Sequence, residues 1–139
     1  MPVHTDEIAF DTEGEVDIKD LTDKVEGIVA RSEIKTGIVN CFVAGATGAM
    51  SVIEYEPGLL EDFPRMLERI APKDIEYMHH LRWHDGNGHS HVRATLIGPD
   101  ISLPVRDGKM LTGTWQKVIF LELDVRKRQR KVFVTVYGE

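Results

Sequence analysis

Apolar and polar positions alternate at Ile8 and Phe10, and again at Val16 and Ile18, the period-two pattern of short strands. The period then changes. Leu21, Val25, Ile28 and Val29 fall on one face at helical spacing, with Asp20 placed to cap the helix and Gly37 as the limit of the region. Residues 37–45 and 49–55 read as two strands, joined by a turn at Gly45, Thr47 and Gly48. Pro57 suits a first helical turn. Pro64 is predicted to divide that helix, with Met66, Leu67 and Ile70 on the buried side of its second half and Pro72 closing it. Residues 73–90 carry no apolar period and read as a long loop, the kind of segment that often carries function. Residues 92–97 suit a short helix or a strand. Residues 101–105, 115–123 and 131–137 read as strands, with a turn at Arg106-Asp107-Gly108-Lys109. The pattern predicts one α+β domain over residues 1–139, largely antiparallel sheet with a few short helices.

One predicted strand has an unusual pattern. Gln116, Val118, Phe120 and Glu122 share one face, and Trp115, Lys117, Ile119, Leu121 and Leu123 share the other. Trp115 is expected in the core. Gln116 and Glu122 share a face with Val118 and Phe120, and buried polar groups need partners, so the pair is expected to line a polar site or an interface.

Composition narrows the classes of function. The chain has 139 residues, 42% hydrophobic and 29% charged, enough for a core without disulfides or a structural metal. Its one cysteine, Cys41, lies in an apolar run and reads as a small hydrophobe. No run reaches the length of a membrane span and the first residues do not resemble a signal peptide, so a cytoplasmic location without membrane contact is expected. The net charge of −6 argues against general nucleic-acid binding. Residues 1–70 carry 6 basic and 15 acidic side chains, and the rest 11 and 8, so an anionic ligand is expected on the C-terminal half. The basic run 126–131 sits where a hairpin turn is predicted, and reads as edge protection rather than a nucleic-acid patch.

The densest polar cluster is His79, His80, His84, Asp85, Asn87, His89 and His91. Imidazole is a common metal ligand and the usual acid–base group near neutral pH, and Asp85 could complete a metal site or orient a histidine. Gly86 and Gly88 allow sharp turns between them. On a strand His89 and His91 would share a face; on a helix they would diverge by about 200°, leaving one to face the site. The run from Gly45 to Ala49 permits close backbone approach but lacks the spacing of a phosphate-binding P-loop, and by itself reads as a turn. Glu54 ends the following strand as a candidate base or ligand, or as a surface cap.

Pro104-Val105-Arg106-Asp107-Gly108, followed by Gly113-Thr114-Trp115-Gln116, resembles the signature of the YjbQ family. The run Asp85-Gly86-Asn87-Gly88-His89-Ser90-His91, with His79 six residues before it, is similar to that family too. The resemblance implies a compact β-rich α+β fold and a homotrimer, with a polar site near a subunit interface. It implies a divalent metal (zinc or magnesium) or an anion there, and a small phosphorylated substrate. The activity it implies is a weak thiamine-phosphate synthase reaction, which joins a hydroxymethylpyrimidine diphosphate to a thiazole phosphate and releases pyrophosphate. Carried over, His79, Asp85 and His91 would hold a metal, with Asp85, Asn87, Arg106, Gln116 and Glu54 as catalytic groups. Thr47 and Arg106 would bind the phosphorylated part. The chain departs from the family at Gly45-Ala46, where many members carry His-Thr, so one histidine is missing while His80, His84 and His89 are additional. A binding protein without turnover is the alternative expectation.

Overall fold

The computed structural model describes the backbone of residues 1–139 and every side chain except that of Trp83. The chain forms β1 (Val3–Asp11), β2 (Asp17–Asp20), α1 (Thr22–Ser32), β3 (Thr36–Val43), β4 (Gly48–Ile53), α2 (Pro57–Ile70), α3 (Met78–Trp83), α4 (Gly88–Ile97), β5 (Asp100–Arg106), β6 (Lys109–Met110), β7 (Lys117–Glu122) and β8 (Gln129–Gly138). The strands form two sheets, ordered β1-β8-β3-β5-β6 and β2-β7-β4, with antiparallel neighbours throughout. The α+β fold expected from the pattern is therefore present. No helix among the described residues is long and apolar enough to cross a membrane.

β7 explains the layering. Val118 and Phe120 pack with α1 (Val25, Ile28, Val29) and with Val39, Val132, Val134 and Val136 from the larger sheet. Ile119, Leu121 and Leu123 face the other way and pack with Leu67 of α2 and Ala94 of α4. A strand covered on both faces reads as a continuous apolar run, which is why its alternation is weak. Burial pushes the Cys41 thiol up to about 12, so it is inert filling in the first of these cores.

Several expectations are corrected. β3 and β4 pair with other strands and not with each other, so the turn at residues 44–47 crosses between sheets. Residues 123–128 likewise link β7 to β8 in the other sheet, and the basic run is not at a hairpin tip. Pro64 lies inside an unbroken α2. The Glu56 carboxylate caps that helix, accepting from the N–H groups of Gly58 (2.8 Å) and Leu59 (2.9 Å), while Leu60, Phe63 and Leu67 dock on the second core. Capping and docking together offset the missing hydrogen bond, a loss of about 3 kcal/mol. Leu67 is buried as expected, but Met66 and Ile70 are exposed. Residues 73–90 are not one loop: they contain α3 and the start of α4. Trp115 is 70% exposed and stands before β7 rather than in the core. Asp20 does assist the start of α1, accepting from the Thr22 N–H at 3.0 Å and the Thr22 hydroxyl at 2.6 Å.

Where the two linkers pass each other, a buried polar network joins the sheets. Arg130 donates from Nε to Glu122 Oε1 at 2.7 Å and from Nη2 to Glu122 Oε2, and both side chains are almost fully buried. Thr12 donates to Glu122 Oε1 at 2.7 Å. Breaking a buried ion pair by removing one partner leaves an uncompensated charge. Arg130→Met should therefore lower stability by about 3–5 kcal/mol, read from urea unfolding, and a loss under about 1 kcal/mol would show that the pair is not buried as described.

Candidate functional site

The same corner carries most of the expected site. Thr47 Oγ1 accepts from Arg130 Nη2 at 2.9 Å and donates to Asp124 Oδ2 at 3.0 Å. A hydroxyl has one hydrogen, so the arginine fixes which way Thr47 points. Asp124 also accepts the Val125 N–H at 2.8 Å and faces Arg128 Nη1 at 3.4 Å. Burial acts to raise the Asp124 carboxyl, but the Val125 N–H, the Thr47 hydroxyl and the charge of Arg128 hold it below its ordinary value.

α4 begins at Gly88, directly beneath Asp124. Asn87 stands between two carboxylates. With its nitrogen toward Asp85 it donates to both oxygens, at 2.8 and 3.1 Å; turned the other way it reaches Asp124 Oδ1 at 3.4 Å. Asp85 Oδ1 lies 3.2 Å from His79 Nδ1, and the rings of His79 and His91 lie 4.5 Å apart, tilted by 39°. Desolvation first, and then the neighbouring His79, lower the pKa of His91, against smaller opposing effects of Asp124 and Asp85. His91 is therefore a free base at neutral pH, suited to accepting a proton. Gly88 is required here, because a Cβ would lie 2.6 Å from the Tyr77 Cβ.

The helical geometry separates the remaining histidines. His89 turns away from His91, is fully buried, and places Nε2 2.7 Å from Glu15 Oε2. Glu15 also holds Lys73 at 2.7 Å, and Arg93 of α4 binds the Ala71 carbonyl (3.0 Å) and Glu68 (2.8 Å). This second network fastens α4 to the β1–β2 linker and the end of α2. His80 accepts the Gly88 N–H at 3.3 Å, and His84 is exposed at the left-handed end of α3. The space beside Gly45 is taken by Arg130, whose Nη1 would lie 2.7 Å from a Cβ there.

Thr47, His79, Asp85, Asn87 and His91 are thus brought together. Glu54, Arg106 and Gln116 are not. They lie at the opposite ends of β4, β5 and β7, about 20 Å away at the rise of a strand. Glu54 and Arg106 are exposed, and Gln116 accepts the Gly113 N–H at 2.8 Å in its own turn. Glu122, flagged for its place on an apolar face, does have buried partners. Asp124 and Arg128 were missed. Asp124 continues the same face two residues beyond Glu122, the signal that would have found it. As for a metal, no three His, Cys, Asp or Glu side chains converge to hold one among the described residues. His79, Asp85 and His91 of one chain do not form that donor set.

The fold and this corner define a two-sheet α+β protein with a polar site between an imidazole pair and a fixed carboxylate. The family model for UPF0047 protein YjbQ-like matches residues 6–139, and the chain belongs to that family. A UPF0047 protein of Methanothermobacter thermautotrophicus is 40% identical over all of this chain and 95% of the relative. A crystal structure from Sulfolobus solfataricus, described as a YbjQ-like protein of unknown function, is 38% identical, with a TM-score of 0.95 over 99% of both chains. An uncharacterized yjbq/upf0047 family protein of Clostridium acetobutylicum is 30% identical, with a TM-score of 0.86 over 94% of this chain and 98% of that one.

The environment of His91 has a measurable consequence. Its folded pKa lies below the ordinary 6.5, so near that pH the unfolded chain binds the proton more tightly. Its contribution to stability is complete above 6.5 and is lost as pH falls below it. A proton NMR titration should place the His91 midpoint below 6.5, and His79→Ala should move it part of the way back. A midpoint at or above 6.5 would contradict the burial of this ring.

Proposed function

We propose that the protein is a small-molecule enzyme acting on a phosphorylated substrate at the His79–His91 corner. The observation that carries this reading is a neutral, half-buried imidazole, His91, near enough to the ionised, immobilised Asp124 for that charge to act on it. His91 offers an unprotonated ring nitrogen as a hydrogen-bond acceptor for the substrate. Asp124, Thr47 and Asn87 hold the surrounding donors and acceptors at fixed positions, so that binding a substrate costs little reorganisation. In a pyrophosphate-releasing transfer of the thiamine-phosphate synthase type, a ring nitrogen of one substrate bonds to the methylene carbon of the other. The carbon–oxygen bond to the diphosphate breaks, and the leaving group takes the electron pair. The chain needs no nucleophile of its own for such a step.

A homotrimer fits the placement of Glu54, Arg106 and Gln116. A head-to-tail contact between copies would bring the far end of one chain to the histidine corner of the next and close as a ring. Exposed Ile70, Met78, Leu81, Val92 and Leu96 surround that corner and suit burial against a neighbour. The absence of a side chain at Gly45 favours the second reading, a trimeric protein that binds an anion or metal without turnover.

Pyrophosphate release from hydroxymethylpyrimidine diphosphate and thiazole phosphate separates the two. Slow turnover proportional to protein concentration is expected, falling at least about tenfold in His91→Ala, the scale of a lost hydrogen bond to the substrate. Turnover that survives in His91→Ala would remove His91 from the reaction, and none in the wild type would leave the binding role. Light scattering should give three times the chain mass, and Arg106→Ala should reduce turnover without disturbing His91 in its own chain.

A further inference from the structure

The side chains of the basic run 126–131 have different surroundings. Lys127 pairs with Glu13 at 3.2 Å on the open surface, and Arg130 is consumed by Glu122 and Thr47 inside the fold. Arg128 differs from both. Its backbone is clamped to Thr12: the Thr12 N–H donates to its carbonyl at 2.9 Å, and its own N–H donates to Thr12 Oγ1 at 3.2 Å. Thr12 is in turn held by Glu122 at 2.7 Å. The guanidinium therefore projects from fixed backbone, is one-third exposed, and rests 3.4 Å from Asp124. That contact is an ion pair without the alignment of a hydrogen bond, and the side chain makes no other described contact. Five N–H donors remain for a ligand.

We propose that Arg128 is the anion-binding group of the site, recognising a phosphate or diphosphate oxyanion beside His91. This rests on the function proposed above and supplies what that reading lacks within one chain, since Arg106 lies at the far end. Asp124 touches Arg128 on one side and is within reach of Asn87 on the other, and Asn87 leads through Asp85 to His79 and His91. Asp124 is also close enough to act on the charge of His91, so the guanidinium and the imidazole share one carboxylate neighbour. Its planar fork matches two oxygens of a phosphate, a geometry that lysine cannot reproduce. Asp124 keeps it oriented without occupying its donors. The position also agrees with the charge of the chain, whose basic excess lies in the C-terminal half.

The test is calorimetric titration of the full chain with inorganic phosphate and with pyrophosphate, for wild type, Arg128→Gln, Arg128→Lys and Lys127→Gln. Thermal melts confirm that each variant is folded. Pyrophosphate should bind the wild type, with affinity reduced at least about tenfold in Arg128→Gln, the scale of a lost charged hydrogen bond. Arg128→Lys should fall between, and Lys127→Gln should stay within about twofold, as an exposed charge does. Equal losses in Arg128→Gln and Lys127→Gln would reduce the effect to general surface charge and overturn the proposal. So would unchanged affinity in Arg128→Gln, or no binding by the wild type. His91 NMR resonances, followed in the same titration, keep the two ideas apart. If Arg128→Gln loses the anion while those resonances never move, Arg128 binds anions but the His91 corner is not where it does so.

Discussion

Glu122 and Arg130 come from strands of different sheets and meet where no solvent reaches them. Taking both charges out of water costs several kcal/mol per ion, and their attraction recovers it only if every remaining donor and acceptor is met. Here the surrounding groups meet that condition for Glu122 and for Nε and Nη2 of Arg130, while Nη1 faces the cavity lined by Ala44 and Phe10. Glu122 accepts from Thr12, from the Asp124 N–H and twice from Arg130, and the remaining Nη2 hydrogen of Arg130 reaches Thr47. Each of these partners belongs to a linker that crosses between the sheets. The pair therefore sets how the linkers lie, and through Thr47 and the Asp124 backbone it sets where the site carboxylate sits. A network of this kind is satisfied as a whole or not at all.

The other half of the corner depends on α4 being a helix. Along it His89 and His91 point in different directions. His89 enters the buried network of Glu15, Lys73, Arg93 and Glu68, while His91 stays half-exposed against His79. A cluster that is dense in the sequence is thus divided into an anchor and a working group. The anchor fixes the helix, and a fixed helix keeps the two imidazoles at stacking distance.

The α+β class and most strands were legible because alternation survives wherever one face is solvated, as in β1 and β8. α2 was misread at Pro64, since local propensity counts a lost hydrogen bond but not a cap and three docked side chains. α3 and the first turn of α4 were hidden because their faces carry polar residues that bind one another rather than an apolar stripe, while residues 92–97, open as helix or strand, are the helical remainder of α4. The histidine corner was legible by composition. Its carboxylate, Asp124, and its guanidinium, Arg128, were not, because they owe their place to a crossing between sheets that no local pattern encodes. For the same reason Glu54, Arg106 and Gln116 looked close in motif order yet lie at the other end of their strands.

Position 45 shows how the buried network and the site constrain each other. Arg130 holds Thr47 as a donor to Asp124 only because nothing projects from Gly45; a Cβ there would come within 2.7 Å of Nη1. The guanidinium cannot simply swing aside, since its other nitrogens are bound to Glu122. A histidine at this position and the present Arg130 geometry are therefore exclusive on this backbone. The chain has no imidazole at this position, and Thr47 supplies a hydroxyl donor of fixed direction on an ionised carboxylate. His91 is then the unprotonated imidazole of this corner, kept so by its partly desolvated ring and by neighbouring His79.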